Sequence, residues 1–268
     1  MIRPVGRWTS LGIRDVLAYR ELLYFFLWRD VKVRYQQTLL GVLWVVLQPL
    51  SYALVFSFLF GRVIGVPTGA VPYPIFCFTG LLLWGLFSAG LTAAAPSVIA
   101  NSELVQKVYF PRLLLPLSAV LGGLVDFGVN IAVLALLMAY YGIGIGPNLL
   151  FAPVFVIGTI AVAVGLGSML AALNVPFRDV RHITPPLTQL WLIATPVAYP
   201  LSLFPEQWRG IMALNPMAGM TEGFRWAVLG TPRPELAILL GSLVAAAAVL
   251  VAGLMIFRRL EARFADVI

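Results

Sequence analysis

Asp126 is the acidic residue set deep in a long apolar run, and Asn130 follows one helical turn later on the same face. An ionisable group at that depth is costly and marks a functional position by default. The preferred reading is plainer: a hydrogen-bonded group that locks its helix to a neighbour. Other candidates for chemistry are few. The two lysines, Lys32 and Lys107, stand outside any Gly-rich phosphate loop, so the chain carries no ATP site of that kind. His182 is the sole histidine and falls in a short polar loop, where a structural role outweighs a catalytic one. The run Gly165-Leu-Gly-Ser168 superficially suggests a serine hydrolase, but no histidine within the membrane completes a dyad, and close helix packing explains it better. Cys77 is the one cysteine, which excludes an intramolecular disulfide and a Cys-based zinc site. No metal site is expected.

Two apolar runs carry polar-aromatic stripes. Trp44, Gln48, Tyr52 and Phe56 recur every four residues, as do Thr188, Trp191, Thr195 and Tyr199. Trp84 and Phe87 add aromatics to a third run. Such rings stack on sugar faces while hydroxyls and amides take hydrogen bonds. The competing explanation is helix packing and an interfacial aromatic belt. For Gln48 and Tyr52, deeper and one turn apart, the conduit role is favoured.

These residues belong to a chain of 268 with 61% hydrophobic and 11% charged residues. That departs far from soluble domains, which run near roughly 45–50% apolar and 25% charged. Apolar runs long enough to span occur at 38–61, 74–100, 113–141, 149–174, 184–203 and 235–257. The expected fold is therefore all-α: a polytopic membrane protein with six transmembrane helices. The fifth run is interrupted by Pro185, Pro186, Pro196 and Pro200, so it is expected to kink and to lie against other helices. Outside the runs, fourteen of the eighteen Lys and Arg fall on one side, counting segments 1–37, 101–112, 175–183 and 258–268. The positive-inside rule makes that side, and with it both termini, cytoplasmic. The net charge of +7 thus reads as topology and gives no reason to invoke nucleic acid.

Segment 1–37 is expected to form an interfacial helix, since Leu22–Trp28 is too short to span and a cationic stretch follows. Arg29 and Asp30 stand where a signal peptide would have small residues, so none is expected. Segment 205–230 is expected to supply short re-entrant helices in the outer leaflet. Asn215-Pro216 reads as a helix start, Gly230 as its stop, and Glu222 and Arg225 as a pair on one face. Gly241, Ala245, Ala248 and Ala252 in the last span suggest close helix packing. Segment 258–268 is a cytoplasmic tail. The loops 101–112 and 174–182, short and rich in charge and aromatics, fit either topology markers or a docking surface for a soluble partner.

Together, Leu27-Trp-Arg-Asp-Val-Lys-Val-Arg-Tyr35, Leu40-Gly-Val-Leu-Trp-Val-Val-Leu-Gln-Pro49, Lys107-Val-Tyr-Phe-Pro-Arg112, Asn174-Val-Pro-Phe-Arg-Asp179 and Asn215-Pro216 with Gly223-Phe-Arg-Trp226 resemble the membrane subunit of type-2 ABC exporters, in the branch that exports bacterial polysaccharides. Each motif is weak; their order over nearly the whole chain is specific.

The resemblance implies a transport subunit, not an enzyme, that forms a homodimer in the bacterial inner membrane. It implies two copies of a separate ATP-binding subunit, which would hold ATP and Mg, with no cofactor in this chain. Asn101, Glu103, Lys107, Tyr109, Arg112, Arg178 and Asp179 would then couple to that ATPase, and the N-terminal segment would receive its movement. The cargo would be a lipid-linked polysaccharide such as undecaprenyl-diphosphate-linked O-antigen. Arg29, Lys32 and Arg34 would attract the diphosphate at headgroup level, and the sugar would thread past the stripes (Trp44, Gln48, Tyr52, Phe56, Trp84, Phe87, Trp191, Thr195, Tyr199). Segment 205–230 would form or gate the exit. Rival readings are teichoic acid, capsular polysaccharide or a drug-like lipid as cargo, an intramembrane enzyme built on Asp126 and Asn130, and a passive channel.

Overall fold

A backbone in hydrocarbon must satisfy its N–H and C=O groups internally, so the apolar runs fold as helices. The computed structural model describes residues 13–36, 41–262 and 264. Residues 1–12, the first span's start at 38–40, and Arg263 and 265–268 of the tail lie outside that description. Among the described residues there is no strand. The helices are α1 (Ile13–Ala18), α2 (Arg20–Gln36), α3 (Gly41–Phe56), α4 (Tyr73–Ala94), α5 (Ser97–Ala100), α6 (Ser102–Lys107), α7 (Leu114–Tyr140), α8 (Ala152–Asn174), α9 (Val180–Ala194), α10 (Glu206–Met212), α11 (Pro216–Leu229) and α12 (Leu236–Glu261). A π-helical turn, Ser57–Val63, extends α3, and a 3₁₀ turn, Pro147–Phe151, leads into α8.

Among the described residues, five helices are long and apolar enough to cross a membrane: α3 with its π turn, α4, α7, α8 with its 3₁₀ turn, and α12. The 184–203 run differs from expectation. Its helix has 15 residues, which is about 22 Å and short of a hydrocarbon core of roughly 30 Å. Thr195, just before Pro196, is already extended, because proline crowds the helical conformation of the residue before it. The 74–100 run also breaks, at Ala95-Pro96, into α4 and α5. At the other end of the chain α12 runs on to Glu261, into the expected tail.

α4 is the central helix, with Phe76–Trp84, Leu86 and Phe87 buried almost without interruption. α3 is its opposite: among its described residues only Ala53 is buried. α8 and α12 meet backbone to backbone. A Cβ on Gly253 would lie 1.9 Å from the Gly165 carbonyl oxygen, and one on Gly165 would lie 2.6 Å from the Leu250 Cα. The Gly165–Ser168 run is thus a packing seam. On α12 the buried face is Ser242, Ala246 and Gly253; of the expected small-residue stripe, Gly241 packs closely, a Cβ there lying 2.8 Å from the Ala213 Cβ, whereas Ala248 and Ala252 are exposed. Gly253→Val should force the two helices apart at a cost of about 1–3 kcal/mol, read as a lowered melting temperature in detergent. An unchanged melting temperature would contradict the seam.

Segment 205–230 forms α10 and α11, and α11 begins and ends as the sequence indicates. The Asn215 side chain accepts from the Met217 N–H at 3.1 Å, and Gly230 closes the helix at φ 68°. α11 is buried against the neighbouring helices, with Met217, Met220 and Phe224 inside the core.

Candidate functional site

Trp44, Gln48 and Tyr52 are exposed along α3, with Phe56 half-buried below them. Tyr52 and Phe56 have ring centroids 6.2 Å apart, and Phe56 meets Phe60 edge-on at 5.8 Å. The four-residue spacing therefore carries on into the π turn, and Phe60 is a member that the same period could have identified. Phe60 in turn borders an apolar groove of about 430 Å³, shared with Ile64, Tyr199, Leu203 and Phe204. A continuous aromatic face thus runs along α3 into a groove at its end.

The other proposed conduit residues lie elsewhere. Trp84 and Phe87 are buried inside the chain. Trp191 packs edge-on against Phe87 at 5.1 Å and against Trp84 at 6.4 Å. Its indole N–H donates to the Asn215 Oδ1 at 3.0 Å, while the Asn215 amide donates to the Thr195 hydroxyl at 3.1 Å. These groups tie the end of α9 to the start of α11. The helical period fails as a guide here because α9 ends at Ala194, so Thr195 and Tyr199 leave the face of Trp191. Only Tyr199 reaches the groove.

At the basic end, two exposed patches stand out. In α6, Glu103 and Lys107 pair at 3.4 Å with both side chains exposed, and Tyr109 beyond them is 87% exposed. Phe177, Arg178 and Asp179 are exposed just ahead of α9. Two of the coupling residues turn inward. The Asn101 amide donates to the Ser97 carbonyl at 2.8 Å, and the Arg112 guanidinium donates to the Glu261 carbonyl at 2.6 Å, fastening the loop to α12. The loop also meets α2, through Phe26 and Phe110 at 5.6 Å.

α2 lies along α7. Arg34 donates to the Asp126 Oδ2 at 2.8 Å, and the Tyr35 hydroxyl donates to the Asp126 Oδ1. Burial, reinforced by that bond, pushes the Tyr35 phenol up to about 12 and keeps it a donor. Arg29 pairs with Asp30 at 2.8 Å. Lys32 is exposed, and among the described residues no ion pair reaches it. The opposite face of α2 carries exposed Tyr24, Phe25 and Trp28. Asn130 donates to the Val45 carbonyl at 3.2 Å. Pro49 has no N–H to offer that carbonyl, four residues back in α3, so α7 supplies the missing donor. Asp126 and Asn130 thus do lock helices together.

The ABC-2 type transporter family profile matches residues 21–229, from α2 to the last residue of α11. The chain belongs to that family. It is 36% identical over 80% of its length to an O-antigen export system permease protein, RfbA, of Myxococcus xanthus, covering 82% of that protein. It is 32% identical to an RfbA of Klebsiella pneumoniae over 97% of this chain and all of that one. It is 23% identical to the polysialic acid transport protein KpsM of Escherichia coli, over 75% of this chain and 78% of that one. The protein is a multi-pass membrane permease of an ABC transporter, and its family implies a partner that binds ATP.

The permease holds one further feature that its sequence did not single out. Arg225 is fully buried and donates to the carbonyls of Phe76 at 3.1 Å and Pro196 at 2.6 Å, to that of Val197, and to the Glu222 Oε1 at 3.1 Å. The expected Glu222–Arg225 pair exists, but its larger task is to satisfy the broken end of α9. Glu222 also borders a recess of about 400 Å³ of mixed lining, with Arg209, Arg233 and Glu235 beside Phe76, Leu201 and Ile238.

Proposed function

We propose that this permease exports a lipid-linked polysaccharide, of the undecaprenyl-diphosphate-linked O-antigen kind, across the bacterial inner membrane. The observation that carries this reading is the α3 face: Trp44, Gln48, Tyr52 and Phe56 lead into the Tyr199 groove, with the first three exposed in a single chain. Exposed rings with polar edges suit sugar faces, and the relatives named above are O-antigen export permeases. Two copies of the chain would place their α3 faces about a common path, as a homodimer with two ATP-binding subunits that carry ATP and Mg. By the positive-inside rule the side assigned fourteen of the eighteen Lys and Arg in the sequence is cytoplasmic, and both termini belong to it. Diphosphate attraction falls chiefly to Lys32, since Arg29 and Arg34 already hold carboxylates. The recess and the groove lie at the opposite end, where the polymer leaves.

A second cargo, a capsular polysaccharide, is favoured by the resemblance to KpsM alone, at 23% identity.

The test is reconstitution. The permease should co-purify with an ATP-binding subunit, and polyprenyl-diphosphate oligosaccharide in the vesicle should raise ATP hydrolysis severalfold. Tyr109→Ala should abolish most of that stimulation without altering the melting temperature, because the side chain is 87% exposed. If no ATPase associates, the transporter assembly is wrong; if a capsular-type lipid stimulates and an O-antigen type does not, the cargo is.

A further inference from the structure

We infer that Asp126 and Asn130 are positioning residues for transport: they form a polar joint in α7 that makes the conduit helix α3 follow the N-terminal helix α2. Five contacts define the line. Phe110, next to the exposed Tyr109, touches Phe26 of α2 at 5.6 Å. Arg34 and Tyr35, two turns further along α2, both grip Asp126. Asn130 bonds back to the Asp126 carbonyl at 2.9 Å with one amide hydrogen. Its other hydrogen goes to the Val45 carbonyl, which lies beside Trp44 and one turn from Gln48. The linkage is short and charge-assisted at the α2 side. On the α3 side it fastens to the one backbone acceptor that Pro49 leaves unserved.

The bond to Val45 is a chosen attachment rather than generic packing. α3 is the least buried of the long helices and packs on α4 as well as α7, so a donor from α7 at this point bears on where its exposed face lies. The joint is also incompletely satisfied: the Asn130 Oδ1 is buried and, among the described residues, has no partner. A joint left one bond short at membrane depth is suited to adopt a second arrangement in which that oxygen is served. A displacement at the loop would thereby reach the aromatic stripe through hydrogen bonds, not through lipid-exposed surface.

The inference rests on the reading that the ATP-binding subunit pushes at the 101–112 loop and α2, and the experiment separates the two. In the permease–ATPase complex in nanodiscs, spin labels are placed singly at Val33→Cys on α2 and Leu54→Cys on α3, both exposed. In the otherwise unaltered protein, ATP should change both spectra. Asn130→Leu alone removes the donor and should lower the melting temperature. Adding Pro49→Ala supplies an N–H for Val45 from within α3 and should restore it. In that repaired double variant the α2 label should still respond, the α3 response should fall severalfold, and export should fall about tenfold while ATP hydrolysis persists. Asn130→Ala with Pro49→Ala carries the same expectation where leucine is not accommodated. If the repaired variant moves α3 and exports at the original rate, Asn130 is only a structural prop and the inference is overturned. If the α2 label is silent to ATP in the unaltered protein, the docking reading itself fails, and the inference with it.

Discussion

Arg225→Met leaves little folded permease. The guanidinium is fully buried, stacks 3.7 Å from the Phe76 ring centroid, and donates to three carbonyls and a carboxylate. Methionine fills much of the volume but serves none of those acceptors. Glu222, its side chain only 12% exposed, then loses the cation it pairs with, and the carbonyls at Pro196 and Val197 lose their donor. Breaking a buried pair on one side costs about 3–5 kcal/mol, a large share of a net stability of roughly 5–15 kcal/mol. Arg225→Lys should rescue only weakly, because a point-like ammonium cannot reach a forked set of acceptors. Gly80→Ala should damage the same spot from the other side, since its Cβ would lie 2.3 Å from the Arg225 Nη2 and 2.9 Å from the Val197 carbonyl oxygen. Size-exclusion profiles and thermal unfolding of the purified variants decide the matter. A monodisperse Arg225→Met protein with the original melting temperature would show that the hub is dispensable.

Alanine at Tyr52 and at Trp191 should have opposite consequences, although both residues belong to polar-aromatic stripes. Tyr52 is 45% exposed, and its ring lies tilted against Phe56 at 6.2 Å. Tyr52→Ala should therefore leave folding and ATPase association intact and slow export. Loss of one aromatic contact of about 0.5–1.5 kcal/mol corresponds to roughly a two- to tenfold lower rate. Trp191 joins Trp84, Phe87 and Asn215. Trp191→Ala opens a cavity and removes one of the two donors to the Asn215 Oδ1, the Met217 N–H remaining, a loss of about 3–5 kcal/mol of stability. Paired melting curves and export assays separate the two outcomes. Equal loss of export at unchanged stability in both variants would return Trp191 to the conduit.

Reading the stripes shows how far a period goes. In α3 the spacing of four held, because Pro49 leaves the helix continuous and its face exposed, and the same spacing even reaches Phe60. In the fifth run it did not, because Pro196 ended the helix and Thr195 turned away. Asp126 is a related case. Its cost in a membrane was evident from its position, and so was the preference for a locking role, but nothing local named Arg34 and Tyr35, more than ninety residues earlier, as its partners. Arg225 was visible only as half of a pair with Glu222, three residues before it. Its carbonyl partners lie 28 to 149 residues away in the chain.

Hydropathy, the sidedness of Lys and Arg, and helix caps are properties of contiguous stretches, since they reflect how a segment partitions between lipid and water and how its own termini are satisfied. The all-α polytopic fold, the α11 boundaries at Asn215 and Gly230, and the absence of a Walker loop follow from them alone. Which face of a stripe meets solvent and which meets a neighbour depends on what other helices bring to it. So does the donor found by each carbonyl that a proline frees, Asn130 for Val45 and Arg225 for Pro196 and Val197. Those choices need groups distant in sequence to converge, and they came into being only when the helices packed.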